Sequence, residues 1–213
     1  MPALPHSLAV VALALVLAAC SFGGPQFTTR GLVAPTAECT VDPRDVGEAE
    51  RLDEVDEGNG CMIPNPWRMR SLSGVALSRP ATLNCGAVAA VNDWLGGTVQ
   101  TAAARQFGEP VVSVDVAASY ACRARNHSRG ARMSEHGFGN AIDISAFTLA
   151  SGRKVTVEAG WNGDGGERAF LRAVRAAACG PFTTVLGPGS DRHHRDHLHF
   201  DLARRRGGGT HCG

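Results

Sequence analysis

The chain has 213 residues, a formal net charge of +1, and is 44% hydrophobic and 19% charged. That balance excludes a disordered polyelectrolyte and gives no field strong enough to draw a nucleic acid, so no nucleic-acid partner is expected. One catalytic-sized domain is expected at this length, and 11 dispersed prolines exclude a polyproline rod.

The first element is an apolar run at residues 8–19, twelve residues long. It is too short to span a bilayer and suits the hydrophobic region of a signal peptide occupying residues 1–19. The run ends in Leu17-Ala-Ala-Cys20, which resembles a lipobox, so Cys20 is expected to become a lipidated first residue anchored in a membrane. Residues 20–38, with Gly-Gly-Pro and Ala-Pro-Thr, are expected to be a flexible tether. Cysteine usage agrees with export. Setting Cys20 aside leaves Cys39, Cys61, Cys85, Cys122, Cys179 and Cys212, an even set suited to disulfides in an oxidising periplasm. Consecutive members of that set lie more than twenty residues apart, with no C-x-x-C, which argues against a zinc–cysteine site.

Residues 39–71 read as a cysteine-containing arm whose acidic stretch, 42–57, is a solvated loop. The main domain, 72–213, opens with a helix over 85–95: Ala87, Val88, Val91 and Leu95 fall on one side, Asn84 is the cap and Gly96-Gly97 the stop. A second short helix is expected over 98–107, a strand over 111–116, and a hairpin of 142–147 with 154–157. Residues 167–178 make the clearest helix, with Phe170, Leu171, Val174 and Ala178 aligned and Gly180-Pro181 ending it. Strands over 183–186 and 197–202 complete the set, and Arg204-Arg-Arg206 reads as a solvated basic end. The fold class is α+β, a mostly antiparallel sheet with flanking helices, stapled by disulfides.

Two short segments carry the chemistry: Ser134-Glu-His136-Gly-Phe-Gly139-Asn-Ala141-Ile-Asp143 and Asp196-His197-Leu-His199. Two imidazoles and one carboxylate, with a fourth position left open, are a ligand set of catalytic zinc, although other divalent ions also accept it. On a strand, His197 and His199 project to one face while Leu198, Phe200 and Leu202 project to the other. Gly137 and Gly139 let the chain turn between His136 and Asp143, and residues 141–145 read as a strand able to lie beside 197–202. Zinc brings the pKa of bound water to about 7, and Asp196, His194 or His197 is available to move the proton. Arg123 and Arg125, just upstream, are the arginines placed to meet developing negative charge.

The pattern Ser134-x-His136-x-x-Gly139-x-Ala141-x-Asp143, followed by His197-x-His199, resembles the zinc signature of the D-alanyl-D-alanine metallopeptidases and their relatives, the lysostaphin-type endopeptidases and hedgehog domains. Tyr120-Ala-Cys122-Arg-Ala-Arg125-Asn, the stretch 178–191 and His194-Arg-Asp196-His-Leu-His199 extend the likeness. Together these motifs resemble the extensin-like C-terminal domain family of bacteria over residues 36–213. The resemblance implies that His136, Asp143 and His199 bind Zn2+, and that His197 faces the substrate. It offers Asp196 and His194 as alternative catalytic bases, and places Ser134, Arg123 and Arg125 on the substrate side. It also implies a hedgehog-like or D,D-peptidase-like fold and a peptidase that cleaves peptidoglycan stem peptides; the lipobox-like segment, with Ser21 rather than aspartate after Cys20, adds the expectation of a periplasmic protein lipid-anchored in the outer membrane. The alternative is a catalytically silent domain that keeps zinc for stability and binds wall peptide or a protein partner.

Overall fold

The structure, a computed structural model, describes residues 39–213; the expected signal peptide, Cys20 and the tether lie outside the described residues. The Asp42 carboxylate accepts from the Arg44 amide and caps a one-turn helix, α1 (Pro43–Val46). Short strands β1 (Ala49–Arg51), β2 (Val55–Asp56) and β3 (Met62–Ile63) follow, then β4 (Trp67–Leu72) and β5 (Val75–Leu83). Ser73 and Gly74 join the last two with φ of 48° and 73°, the left-handed pair that a tight hairpin requires. Helix α2 (Cys85–Asp93) runs through a π-helical turn (Trp94–Val99) into α3 (Gln100–Phe107). The remaining elements are β6 (Val111–Ala118), β7 (Ala141–Leu149), β8 (Lys154–Thr156), α4 (Val157–Gly160), α5 (Gly165–Ala178), β9 (Thr184–Leu186), β10 (Leu198–Asp201) and β11 (His211–Cys212).

Among the described residues the main sheet has nine strands in the order β1-β4-β5-β6-β7-β10-β9-β11, with β8 paired to β7. Only β5·β6 and β9·β11 are parallel, so the expected α+β fold with a mostly antiparallel sheet is the one observed. The helices cover one face. Trp94 is the centre of that layer, in contact with Phe147, Phe182 and Phe200 at centroid distances of 6.1, 6.5 and 4.7 Å, and its indole N–H donates to the Val174 carbonyl. Phe170, Leu171, Val174 and Ala178 of α5 are all buried, as their spacing predicts, and Asp164 caps the helix.

Three expectations change. Gly96-Gly97 does not stop α2: the chain continues through the π-turn, because a Cβ on Gly96 would lie 2.6 Å from Ser73 Oγ and glycine is what lets the β4–β5 turn approach. The stretch 42–57 is not a plain loop, since it forms α1, β1 and β2, with Glu50 pairing Arg68 across β1 and β4. Residues 49–51 and 67–71, read as part of an arm, belong to two strands of the main sheet.

The six cysteines of the described region pair as Cys39–Cys85, Cys61–Cys122 and Cys179–Cys212, with Cα separations of 5.1, 5.7 and 6.0 Å. Beside the second bridge, the Tyr120 hydroxyl donates to Glu57 Oε1 at 2.5 Å. Burial and this carboxylate together push the phenol up to about 12. A folded-state value above the unfolded one means that the associated stability is complete below about pH 10 and fades as pH rises through about 12. Tyr120 is the chain's single tyrosine, so ultraviolet titration of the folded protein reads it alone. The expected midpoint is near 12, moving back toward 10 in Glu57→Gln.

Candidate metal centre

The open face of the sheet, opposite the helices, carries the polar cluster. On β10, Leu198 and Phe200 enter the core, so His199 and Asp201 project the other way. Antiparallel pairing sets His199 directly opposite Asp143 of β7. His136 arrives from a single 3-10 turn (Glu135–Phe138) that ends at Gly139, whose φ of 59° takes the left-handed conformation. A side chain at Gly139 would also meet Ile63 Cδ1 at 2.7 Å and the Asn84 nitrogen at 2.9 Å, so glycine is required for the turn to seat against β3 and α2.

One donor atom each from His136, Asp143 and His199 lies within 4.8 Å of the other two, and all three residues are buried. His136 Nδ1 donates to the Ser119 carbonyl at 2.5 Å, which leaves Nε2 facing Asp143 Oδ2 at 3.2 Å. His199 Nδ1 faces Asp143 Oδ1 at 2.7 Å, while its Nε2 meets Asp201 Oδ2 at 3.0 Å. Both contacts to Asp143 need positive charge between nitrogen and oxygen. A divalent cation between the imidazole nitrogens and the carboxylate would supply it, and the donor chemistry fits a metal of zinc type. His199 would hold such a cation through Nδ1 and keep its Nε2 proton on Asp201, and that carboxylate would fix the orientation of the ligating ring.

Burial disfavours charge on all three groups of this relay, but the pairings outweigh it. Asp143 is held far below the usual carboxylate range by His136 and His199, and Asp201 is lowered by His199. His199 is raised to about 9 by the two carboxylates. A cation must displace that proton, so apparent metal affinity is expected to climb by about tenfold per pH unit until pH reaches about 9. Chelator competition at a series of pH values checks this, and an affinity flat with pH would contradict it.

A cleft of about 450 Å³ opens over the cluster, and His194, His197, Ser134, Arg123 and Arg125 line it with the three candidate ligands. His194 Nδ1 pairs with Asp191 Oδ1 at 2.8 Å, leaving Nε2 as the free nitrogen, and burial lowers its pKa despite Asp191. His197 Nδ1 pairs with Asp196 Oδ1 at 2.8 Å, and its Nε2 stands 3.7 Å from Asp143 Oδ2. Asp196 is not among the cleft-lining residues; its carboxylate is exposed, engaged by His197, and lowered by that bond. Arg125 is tied to Glu135 Oε1 at 3.2 Å, whereas Arg123 has no carboxylate partner among the described residues.

Asp201, Asp191 and Arg205 also belong to the cleft and escaped the sequence reading. Asp201 was signalled by its place two residues beyond His199 on the same strand face. Arg205, read as part of a solvated basic end, is held on the cleft wall by the Thr184 hydroxyl at 2.8 Å and the Thr183 carbonyl at 3.3 Å.

Fold and site together define a disulfide-bonded α+β domain with a buried two-histidine, one-aspartate centre beneath an open cleft. Residues 37–213 match the family model of the extensin-like protein C-terminus, and the chain belongs to that family. No curated protein and no solved structure matches the chain.

Proposed function

We propose that the chain is a zinc-dependent peptidase of the cell envelope that hydrolyses peptide bonds in peptidoglycan stem peptides. The observation that carries the reading is the convergence of His136, Asp143 and His199 on one point at the floor of a cleft that also presents the imidazoles of His194 and His197. The motif likeness to D-alanyl-D-alanine metallopeptidases supplies the substrate class. The paired cysteines agree with an oxidising periplasm, and the lipobox-like segment with anchoring in the outer membrane.

A bound divalent ion supplies Lewis acidity toward the scissile carbonyl and acidifies water for attack. His194 is the better base of the two that the sequence offered. Its Nδ1 proton rests on Asp191, its Nε2 is free, and its lowered pKa keeps that nitrogen unprotonated at neutral pH. Asp196, outside the cleft lining, instead orients His197 so that Nε2 faces the metal side of the cleft, where the substrate would lie. Arg123 and Ser134 complete the substrate wall.

The test is incubation of the zinc-loaded protein with wall sacculi and with D,D- and L,D-linked stem peptides. New products are expected, absent in His136→Ala, and reduced by about 10²- to 10⁴-fold in His194→Gln with the metal retained. Zinc held without cleavage of any of these substrates would instead make the domain a zinc-stabilised binding module for wall peptide or a protein partner.

A further inference from the structure

Strand β9 has two working faces. Thr184 and Leu186 line the metal cleft, while Val185 between them lines a separate groove on the helix side of the sheet. This groove, about 530 Å³, is walled by Trp161, by Arg172, Arg175 and Ala176 of α5, and by the Cys179–Cys212 bridge. We propose that it is a second binding site, one that takes an oxyanion group, carboxylate or phosphate, between Arg172 and Arg175 over the Trp161 ring.

The two guanidinium carbons lie 5.6 and 5.3 Å from the Trp161 ring centroid. An arginine stacked on an indole keeps its N–H edge free in the ring plane, in the fork geometry that grips a carboxylate or phosphate by paired hydrogen bonds. Of those donors, Arg175 commits Nη2 to Ser190 Oγ at 3.0 Å, a neutral partner. Neither arginine has a carboxylate within 4.0 Å among the described residues, although the chain as a whole carries a net charge of only +1. Arg168, Arg172 and Arg175 recur at four- and three-residue spacing along α5, so like charges face one another down one stripe. The helix dipole favours cations in the last turn, which accounts for Arg175 but not for Arg168 and Arg172. Burial around Arg175 already works against its charge, as its lowered pKa records. An incoming anion relieves both the repulsion and the unpaired charge. Lying on the far face of β9, the groove acts independently of the metal centre.

The indole N–H resonances of Trp67, Trp94 and Trp161 in the metal-loaded full chain read this site directly. The probes are inorganic phosphate and triglutamate, each titrated at constant ionic strength. A saturable shift is expected at Trp161, with Trp67 and Trp94 still. It should weaken by about tenfold in each of Arg172→Gln and Arg175→Gln, both checked for an unchanged melting temperature. Tighter binding of phosphate would identify a phosphate-bearing ligand, and tighter binding of triglutamate a carboxylate-bearing one. A shift that never saturates, or one that survives in the double variant, would overturn the site.

Discussion

Asp201→Asn is expected to lower metal affinity by about 10- to 100-fold, even though the substituted residue touches no metal. Both oxygens of Asp201 act as acceptors: Oδ2 from His199 Nε2 at 3.0 Å and Oδ1 from the Ala203 amide at 2.9 Å. Asparagine has one acceptor and must turn its NH2 toward one of these donors. Either the His199 ring loses the partner that fixes its orientation, or the backbone of the segment after β10 loses its anchor. Asp201 is buried, so water does not easily fill the gap. Competition against a chelator of known affinity measures the change. An affinity equal to that of the unsubstituted protein would mean that His199 does not bind through Nδ1.

Cys61→Ala/Cys122→Ala is expected to cost about 2–4 kcal/mol of stability and, in addition, to weaken the metal centre. The reason for the second effect is position. Cys61 is fully buried behind the turn that carries His136, close enough that a Cβ on Gly137 would lie 2.7 Å from its sulfur. The Met133 sulfur packs 3.4 Å from that of Cys61. Cys122 opens the segment bearing Arg123 and Arg125, so the bridge holds the His136 turn and the cleft rim to the β2–β3 hairpin together. Cys179→Ala/Cys212→Ala is the comparison, since that bridge walls the groove beneath α5 instead. It should show a similar fall in denaturation midpoint with metal affinity preserved. Equal loss of affinity in both pairs would reduce the effect to general destabilisation.

What was legible in the sequence is what local chemistry determines. Asn84 reads as a cap because a side-chain oxygen before a helical pattern satisfies an amide, and its Oδ1 does accept from Ala87 at 2.9 Å. The α5 face and the same-face projection of His199 follow from periodicity alone. The pairing of β7 with β10, which sets Asp143 beside His199, was anticipated from two neighbouring strand-like patterns.

What was missed depends on contacts far along the chain. The β4–β5 hairpin was hidden because its apolar positions do not alternate: the register shifts between Met69 and Ser71, and Pro80 falls in the unpaired stretch of β5 that the shift creates. Gly96-Gly97 looks like a helix stop in isolation, and only the approach of Ser73 explains it otherwise. Cysteine pairing carries no local signal at all, since the partners stand 33 to 61 residues apart. His194 and Asp196 were equivalent on paper. In the fold His194 Nδ1 pairs with Asp191, whereas the Asp196 carboxylate pairs with His197.

The most direct measurement is the metal content of the purified, disulfide-bonded chain, by elemental analysis after exhaustive dialysis, beside His136→Ala and His199→Ala. One zinc-type divalent ion per chain is expected, lost from both variants while their secondary structure persists. A metal-free chain that also fails to take up zinc when it is supplied, or variants that bind as well as the parent, would contradict the centre.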